Sequence, residues 1–166
     1  MTIAYCAGEH ATAASAIHRA VTLNPNSAQA WSASGWVSSW RNQPDPAIEA
    51  FQRAMRLRPL DPLGYMFSGG LAFAHFVARR YEKAVEWADR CLREQPRFSS
   101  VIRLRVASCA HLGRIEEAQQ WLQRLLELQP GFTIAECKAF YTAMQFPSEV
   151  VDVYVDGLRK AGLPEG

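Results

Sequence analysis

An all-α fold, a stack of antiparallel helix pairs, follows from three features of this 166-residue sequence. Four stretches end alike: "VTLNP" at Pro25, "MRLRP" at Pro59, "LREQP" at Pro96 and "LELQP" at Pro130, at intervals of 34, 37 and 34 residues. Periods of that length mark arrays in which each unit buries its apolar face on a neighbour. An alanine stands twelve residues before each proline, at Ala13, Ala47, Ala84 and Ala118, and Ala20, Ala54, Cys91 and Leu125 stand five before. Small residues at helical spacing let two helices approach closely. The composition is 49% hydrophobic and 20% charged, ordinary for a globular domain, and the net charge of +2 is too small to argue for nucleic acid or an anionic membrane.

The elements read in order along the chain. "AGEHATAASAIHRAVTLNP" is the second helix of a pair whose first helix lies largely upstream, with only Met1 to Ala7 before it. Helix openings carry Asn, Ser, Asp or Pro, as in "NPNSA", "QPDPA" and "LDPLG", residues that suit helix starts. Each second helix then stops at the phased proline, which lacks an N–H and disfavours a helical residue before it. The three extra residues between Pro59 and Ala84 fall around "PLGYMFSGG", as a longer loop or a longer helix. After Pro130, "FTIAECKAFYTAM" and "PSEVVDVYVDGLRKAGL" are two amphipathic segments, the latter with Val150, Val151, Tyr154 and Leu158 at helical spacing. They are expected to cap the last repeat.

The pattern resembles the tetratricopeptide repeat, with its Trp-x2-Leu-Gly-x2-Tyr, Ala-x3-Phe and Pro signature. Trp31, Gly35, Ala47, Phe51, Ala54 and Pro59 fall on that spacing, while Ser34 and Ser38 depart from it. Tyr81, Ala84 and Pro96, then Gly113, Ala118, Leu122 and Pro130, match in the later units, and Arg105 stands where the family has an apolar residue. The resemblance covers roughly residues 9 to 132 and implies a right-handed superhelix, an α-solenoid. The expected divisions are a half-repeat at 1–25, repeats at 26–61, 62–98 (with the insertion) and 99–131, and capping helices at 132–166.

"LNPNSAQAWSASGWV", "REQPRFSSVIRLRVASCAHLGRIEEA", "LELQPGFTIAE" and "GLRKAGLPE" are similar to the C-terminal repeat region of a bacterial group. There a class III adenylate/guanylate cyclase domain, or a winged-helix DNA-binding domain, precedes the repeats. The chain is thus expected to be a fragment of a larger cytoplasmic signalling protein, with a stand-alone adaptor as the alternative. No cyclase motif is present to carry over.

The sequence carries no catalytic pattern. His10, His18, His75 and His111 lack metal-binding spacing, and Cys6, Cys91, Cys109 and Cys137 form no CxxC pair. "SGG" at Ser68 to Gly70 is not a phosphate loop, and there is no GxSxG elbow. Glu49, Asp89, Glu116 and Glu117 read as a solvated charged face, and so do the eight basic residues between Arg79 and Arg105. No enzyme activity, cofactor or metal is expected of this chain, and neither nucleic acid nor membrane as a partner.

"WSASGWVSSW" places Trp31, Trp36 and Trp40 within ten residues. The resemblance implies that first helices line a concave groove. Counted along the repeat, it puts Trp31 against its own second helix and Trp36 with Trp40 on the groove. The two are four apart and share a helix face. The same count gives Gln29 and Ser32, then Phe73, Phe76 and Val77, then Arg103 and His111. The expected partner is a protein or peptide with apolar anchors. A homodimer through the incomplete N-terminal repeat is a further expectation.

Overall fold

The computed structural model describes residues 10–166, with side chains from Thr12 onward. Residues 1–9, which hold Cys6 and the opening of the expected half-repeat, lie outside them. The described residues form nine helices and no strand. They are α1 (His10–Leu23), α2 (Ala28–Trp40), α3 (Pro44–Leu57), α4 (Gly64–Val77), α5 (Tyr81–Glu94), α6 (Ser99–His111), α7 (Ile115–Leu128), α8 (Ile134–Ala143) and α9 (Ser148–Lys160).

The pairs α2/α3, α4/α5 and α6/α7 are joined by three-residue turns with one design. The middle residue has a left-handed backbone: Asn42 at φ 57°, Arg79 at 58° and Gly113 at 74°. The next residue donates its N–H back to a carbonyl five residues earlier: Gln43 to Ser38, Arg80 to His75 and Arg114 to Cys109. This closes each first helix and reverses the chain. Helix openings are set locally too. The Ser27 hydroxyl accepts from Ala30 N–H at 3.2 Å, Pro44 opens α3, and Thr133 and Glu136 form a reciprocal capping box on α8. The three-residue insertion is divided. The loop before α4 spans 58–63, two longer than the equivalent loops at 24–27 and 95–98, and α4 is one residue longer than α2 and α6.

The phased small residues are the hinges of the packing. Ala47, Ala54, Ala84, Cys91, Ala118 and Leu125 are all 0% exposed. The ring of Phe51 is equally buried and slides beneath two glycines of two helices, Gly35 on α2 and Gly70 on α4. "SGG" is therefore a notch for an aromatic ring. The first helices α2, α4 and α6 stack side by side and form one wall of the solenoid.

The C-terminal hairpin does more than cover the last repeat. Helix α9 lies against α6 at backbone contact, and a Cβ on Gly157 would sit 2.8 Å from the Ala107 carbonyl. Val150, Val151, Tyr154, Val155 and Leu158 are buried along it. The tail returns to α8, where Ile134 and Ala135 N–H groups donate to the carbonyls of Pro164 and Glu165. From α9 the contacts reach across the concave wall: Tyr154 to Phe76, His111 to the Val153 carbonyl, and Asn42 to Glu149 at 3.0 Å. Burial of those five α9 side chains contributes roughly 10 kcal/mol. The hairpin is thus a fixed part of the wall.

Two expectations about charge are corrected. Arg105 is buried, and it is held by Asp89 from α5 at 2.5 Å and Glu117 from α7 at 2.7 Å, with its guanidinium 4.3 Å from the Trp121 ring centroid. Asp89 and Glu117 are thus partners of an arginine inside the helix packing, where a solvated face was expected. Arg103, counted with the outer basic residues as well as with the groove, is also buried.

Candidate partner-binding groove

The first helices run parallel, so their inward faces align from repeat to repeat. On α2 this brings Gln29, Ser32, Trp36 and Trp40 to the concave side, at the i, i+3 and i+4 steps of one helix face. On α4 it brings Met66, Gly69 and Phe73, and on α6 Ser100, Val101 and Leu104. Together with α1 and the C-terminal hairpin they enclose a chamber of about 630 Å³.

The floor is aromatic. Trp36 and Trp40 lie 5.8 Å apart between ring centroids. Trp36 stands edge-on to Phe51 at 5.3 Å and tilts toward Phe73 at 6.3 Å. The C-terminal hairpin adds Phe146, which meets Trp40 at 6.1 Å and Phe73 at 5.9 Å, both edge-to-face. Such edge-to-face rings gain from their quadrupoles beyond area burial. Ala13 and Ile17 of α1 form one side, and Tyr141 and Met144 the other. The polar residues of the lining, Gln29, Ser32, Asp61 and Ser100, all come from the N-terminal ends of first helices or the loop before α4.

Five of the nine residues counted onto the groove line this chamber: Gln29, Ser32, Trp36, Trp40 and Phe73. Four stand elsewhere. Phe76 is 1% exposed, packed among Tyr81, His111 and Tyr154. Val77 is half-buried against the main core. His111 stacks on Tyr81 at 4.7 Å and bonds the Val153 carbonyl at 2.8 Å, so α9 covers it. Arg103 is 7% exposed, donates to the Ser100 hydroxyl at 3.0 Å and lies over the Phe132 ring, with its Nε unpartnered. Phe76, His111 and Arg103 share a physical reason: the C-terminal segment occupies that half of the concave face.

Sequence reasoning passed over other lining residues. The same repeat count, applied to the first turns of α4 and α6, lands on Met66, Gly69 and Ser100. Nothing of that kind points to Tyr141, Met144 and Phe146, because they belong to no repeat.

Burial pushes the Cys91 thiol up to about 12 and those of Cys109 and Cys137 to about 11, so none is a ready nucleophile. Burial likewise raises Tyr141 and Tyr154. Among the described residues no cluster of potential metal ligands occurs. No helix there is long and apolar enough to cross a membrane.

Stacked helix pairs around a concave aromatic wall define an α-solenoid. Residues 41–97 and 108–132 each match a family model of the tetratricopeptide repeat, so those segments are tetratricopeptide repeats. Solved structures agree on the fold. TTC0263, a tetratricopeptide-repeat protein of Thermus thermophilus, is similar at 21% identity and TM-score 0.67, over 96% of this chain and 87% of that one. YrrB, described as having an unusual peptide-binding site, is similar at 17% identity and TM-score 0.63, over 96% and 80%. The second such domain of human RPAP3, solved with an HSP70 peptide, is similar at 19% identity and TM-score 0.56, over 73% of this chain and all of that one. No curated protein matches the sequence.

Proposed function

We propose that the chain is a protein–protein interaction module that holds a partner segment at the upstream half of its concave face, with apolar anchors seated in the chamber. The observation that carries this is the aromatic floor of Trp36, Trp40 and Phe73, which lines the chamber where α9 covers the other half of the concave face. Peptide binding in YrrB and the RPAP3 domain supports it by likeness of fold. Large aromatic anchors in such pockets each contribute about 2 kcal/mol or more.

The test is a random peptide library panned on the immobilised chain. Selected peptides are expected to share large apolar residues and to lose binding to Ser32→Arg, a rim change that leaves the core intact. If nothing is enriched, or Ser32→Arg binds as the parent does, the reading fails. Trp36→Ala with Phe73→Ala is the harsher pair, because Trp36 also braces Phe51.

The cellular setting rests on sequence resemblance. A module beside a class III adenylate/guanylate cyclase is the setting we favour, with a winged-helix regulator or a stand-alone adaptor as alternatives. An immunoblot of the native product separates the stand-alone adaptor from the larger parents by size, and the upstream sequence separates those two from each other. Self-association is supported by a shallow groove on the outer face of α1, with Arg19 and the 74% exposed Leu23. Light scattering across concentration tests it, and a strictly monomeric chain removes it.

A further inference from the structure

The chamber opens to solvent but is walled on both sides. Ile17 of α1 shuts one side, and Tyr141 with Met144 shuts the other. At the far end Phe146 wedges between Trp40 and Phe73. These walls make it a bounded hollow within the groove rather than an even track. Its volume, about 630 Å³, instead falls among small-molecule pockets, roughly 300–1,000 Å³. Its walls also match that class, being apolar and aromatic with a few polar groups at one rim.

The charge of the lining narrows the ligand. Among the described residues no Lys, Arg or His lines the chamber, and the carboxyl that does so is Asp61. The Asp61 side chain is 8% exposed and accepts the Leu63 N–H at 2.8 Å, with Arg58 at 3.6 Å on the outer side. A carboxylate at the rim and no cation in the described wall oppose an anionic ligand. Gln29, Ser32 and Ser100 offer neutral hydrogen bonds there.

We infer that the chamber is a binding site for a compact, uncharged, largely aromatic or branched apolar small molecule whose single polar end lies at the Gln29–Ser32–Asp61 rim. This goes beyond the partner reading, because occupancy needs no protein.

Two probes share one skeleton and differ by a charge: N-phenyl-1-naphthylamine, which is neutral, and 8-anilinonaphthalene-1-sulfonate. Titrated into the full chain, the neutral probe is expected to bind saturably, one per chain. The sulfonate should bind at least about tenfold more weakly. Asp61→Asn should narrow that gap. Ala33→Trp, which fills the chamber from its half-buried α2 wall, should abolish neutral-probe binding at unchanged helicity, and Ser32→Trp serves if that variant does not fold. No saturable neutral binding, equal affinity for both probes, or full binding by the filled variant would each overturn the inference. Peptide capture lost while the neutral probe still binds would sink the partner reading alone.

Discussion

Gly70→Ala is the most telling single change. An ideal Cβ at Gly70 would stand 2.3 Å from Phe51 Cζ and 2.4 Å from Cε1, where ordinary contact begins near 3.4 Å. About 1 Å must open. The ring has nowhere to retreat: it is 0% exposed, with Gly35 of α2 on its other flank and Trp36 edge-on at 5.3 Å. Overpacking of this kind costs about 1–3 kcal/mol, and a rigid ring between two helices belongs at the upper end. Helix propensity returns about 1 kcal/mol, because alanine is the better helix former. The net expectation is a loss of about 2 kcal/mol, a fall in Tm of roughly 4–8 °C for a chain of this size. Phe51→Leu removes the clashing ring atoms and is milder than Phe51→Ala, which would cost roughly 3–5 kcal/mol. In the Phe51→Leu background Gly70→Ala should become neutral or stabilising, so the coupling is about 2 kcal/mol. Urea unfolding of the four proteins, followed by far-UV circular dichroism, reads it out. If Gly70→Ala stabilises the parent, or costs the same in both backgrounds, the notch for Phe51 is not what holds α2, α3 and α4 together.

Arg105→Ala should cost roughly 2–3 kcal/mol in the same assay, less than a fully buried pair because Asp89 and Glu117 are each more than a third exposed; a loss under about 0.5 kcal/mol would deny the bridge a role. Burial, then the charges of Arg80 and Lys83, hold His75 below its usual 6.5, against the opposing pull of Glu86 and Asp45. The native state therefore binds fewer protons than the unfolded one, so His75 stabilises the fold above about pH 6.5 and that contribution fades as the pH falls below it. The stability lost between about pH 7.5 and pH 5.5 should be smaller in His75→Gln; equal losses would remove His75 as the cause. With their thiols raised by burial, Cys91, Cys109 and Cys137 should resist iodoacetamide at neutral pH until the chain unfolds. Peptide mass mapping follows each separately, and rapid native labelling of Cys91 would contradict its packing.

What could be read from sequence was what repeats locally. Ala47, Ala84 and Ala118 are buried where the phased count puts them, because a small side chain at a helix crossing is a nearest-neighbour requirement. The three hairpin turns were not read from sequence: Gly113 entered only as a match to the repeat, and Asn42 and Arg79 adopt the left-handed backbone without advertising it. Trp36 and Phe73 were placed on the concave wall by the same counting. Phe76, His111 and Arg103 share their phase, but α9 covers the first two and Phe132, ahead of α8, lies against the third. The stripe Val150, Val151, Tyr154, Leu158 announces an amphipathic helix without naming the surface it seeks. Asp89 and Glu117 looked like water-facing carboxylates because their partner, Arg105, lies on a different helix from either.

Met144, beyond α8, packs against Ala13 and Ile17 of α1 and Val37 of α2, and Asn42 reaches Glu149 across 107 residues. In an open array each unit touches only its neighbours, and stability is close to a sum of local contributions. Here the first described helix and the C-terminal hairpin meet through Met144. Fraying of the last helices takes support from the first, so unfolding should be closer to all-or-none than to stepwise peeling. Contacts so distant in sequence also raise the contact order above that of an open helical array, which slows folding. Thermodynamically the molecule resembles a closed ring more than a chain of beads.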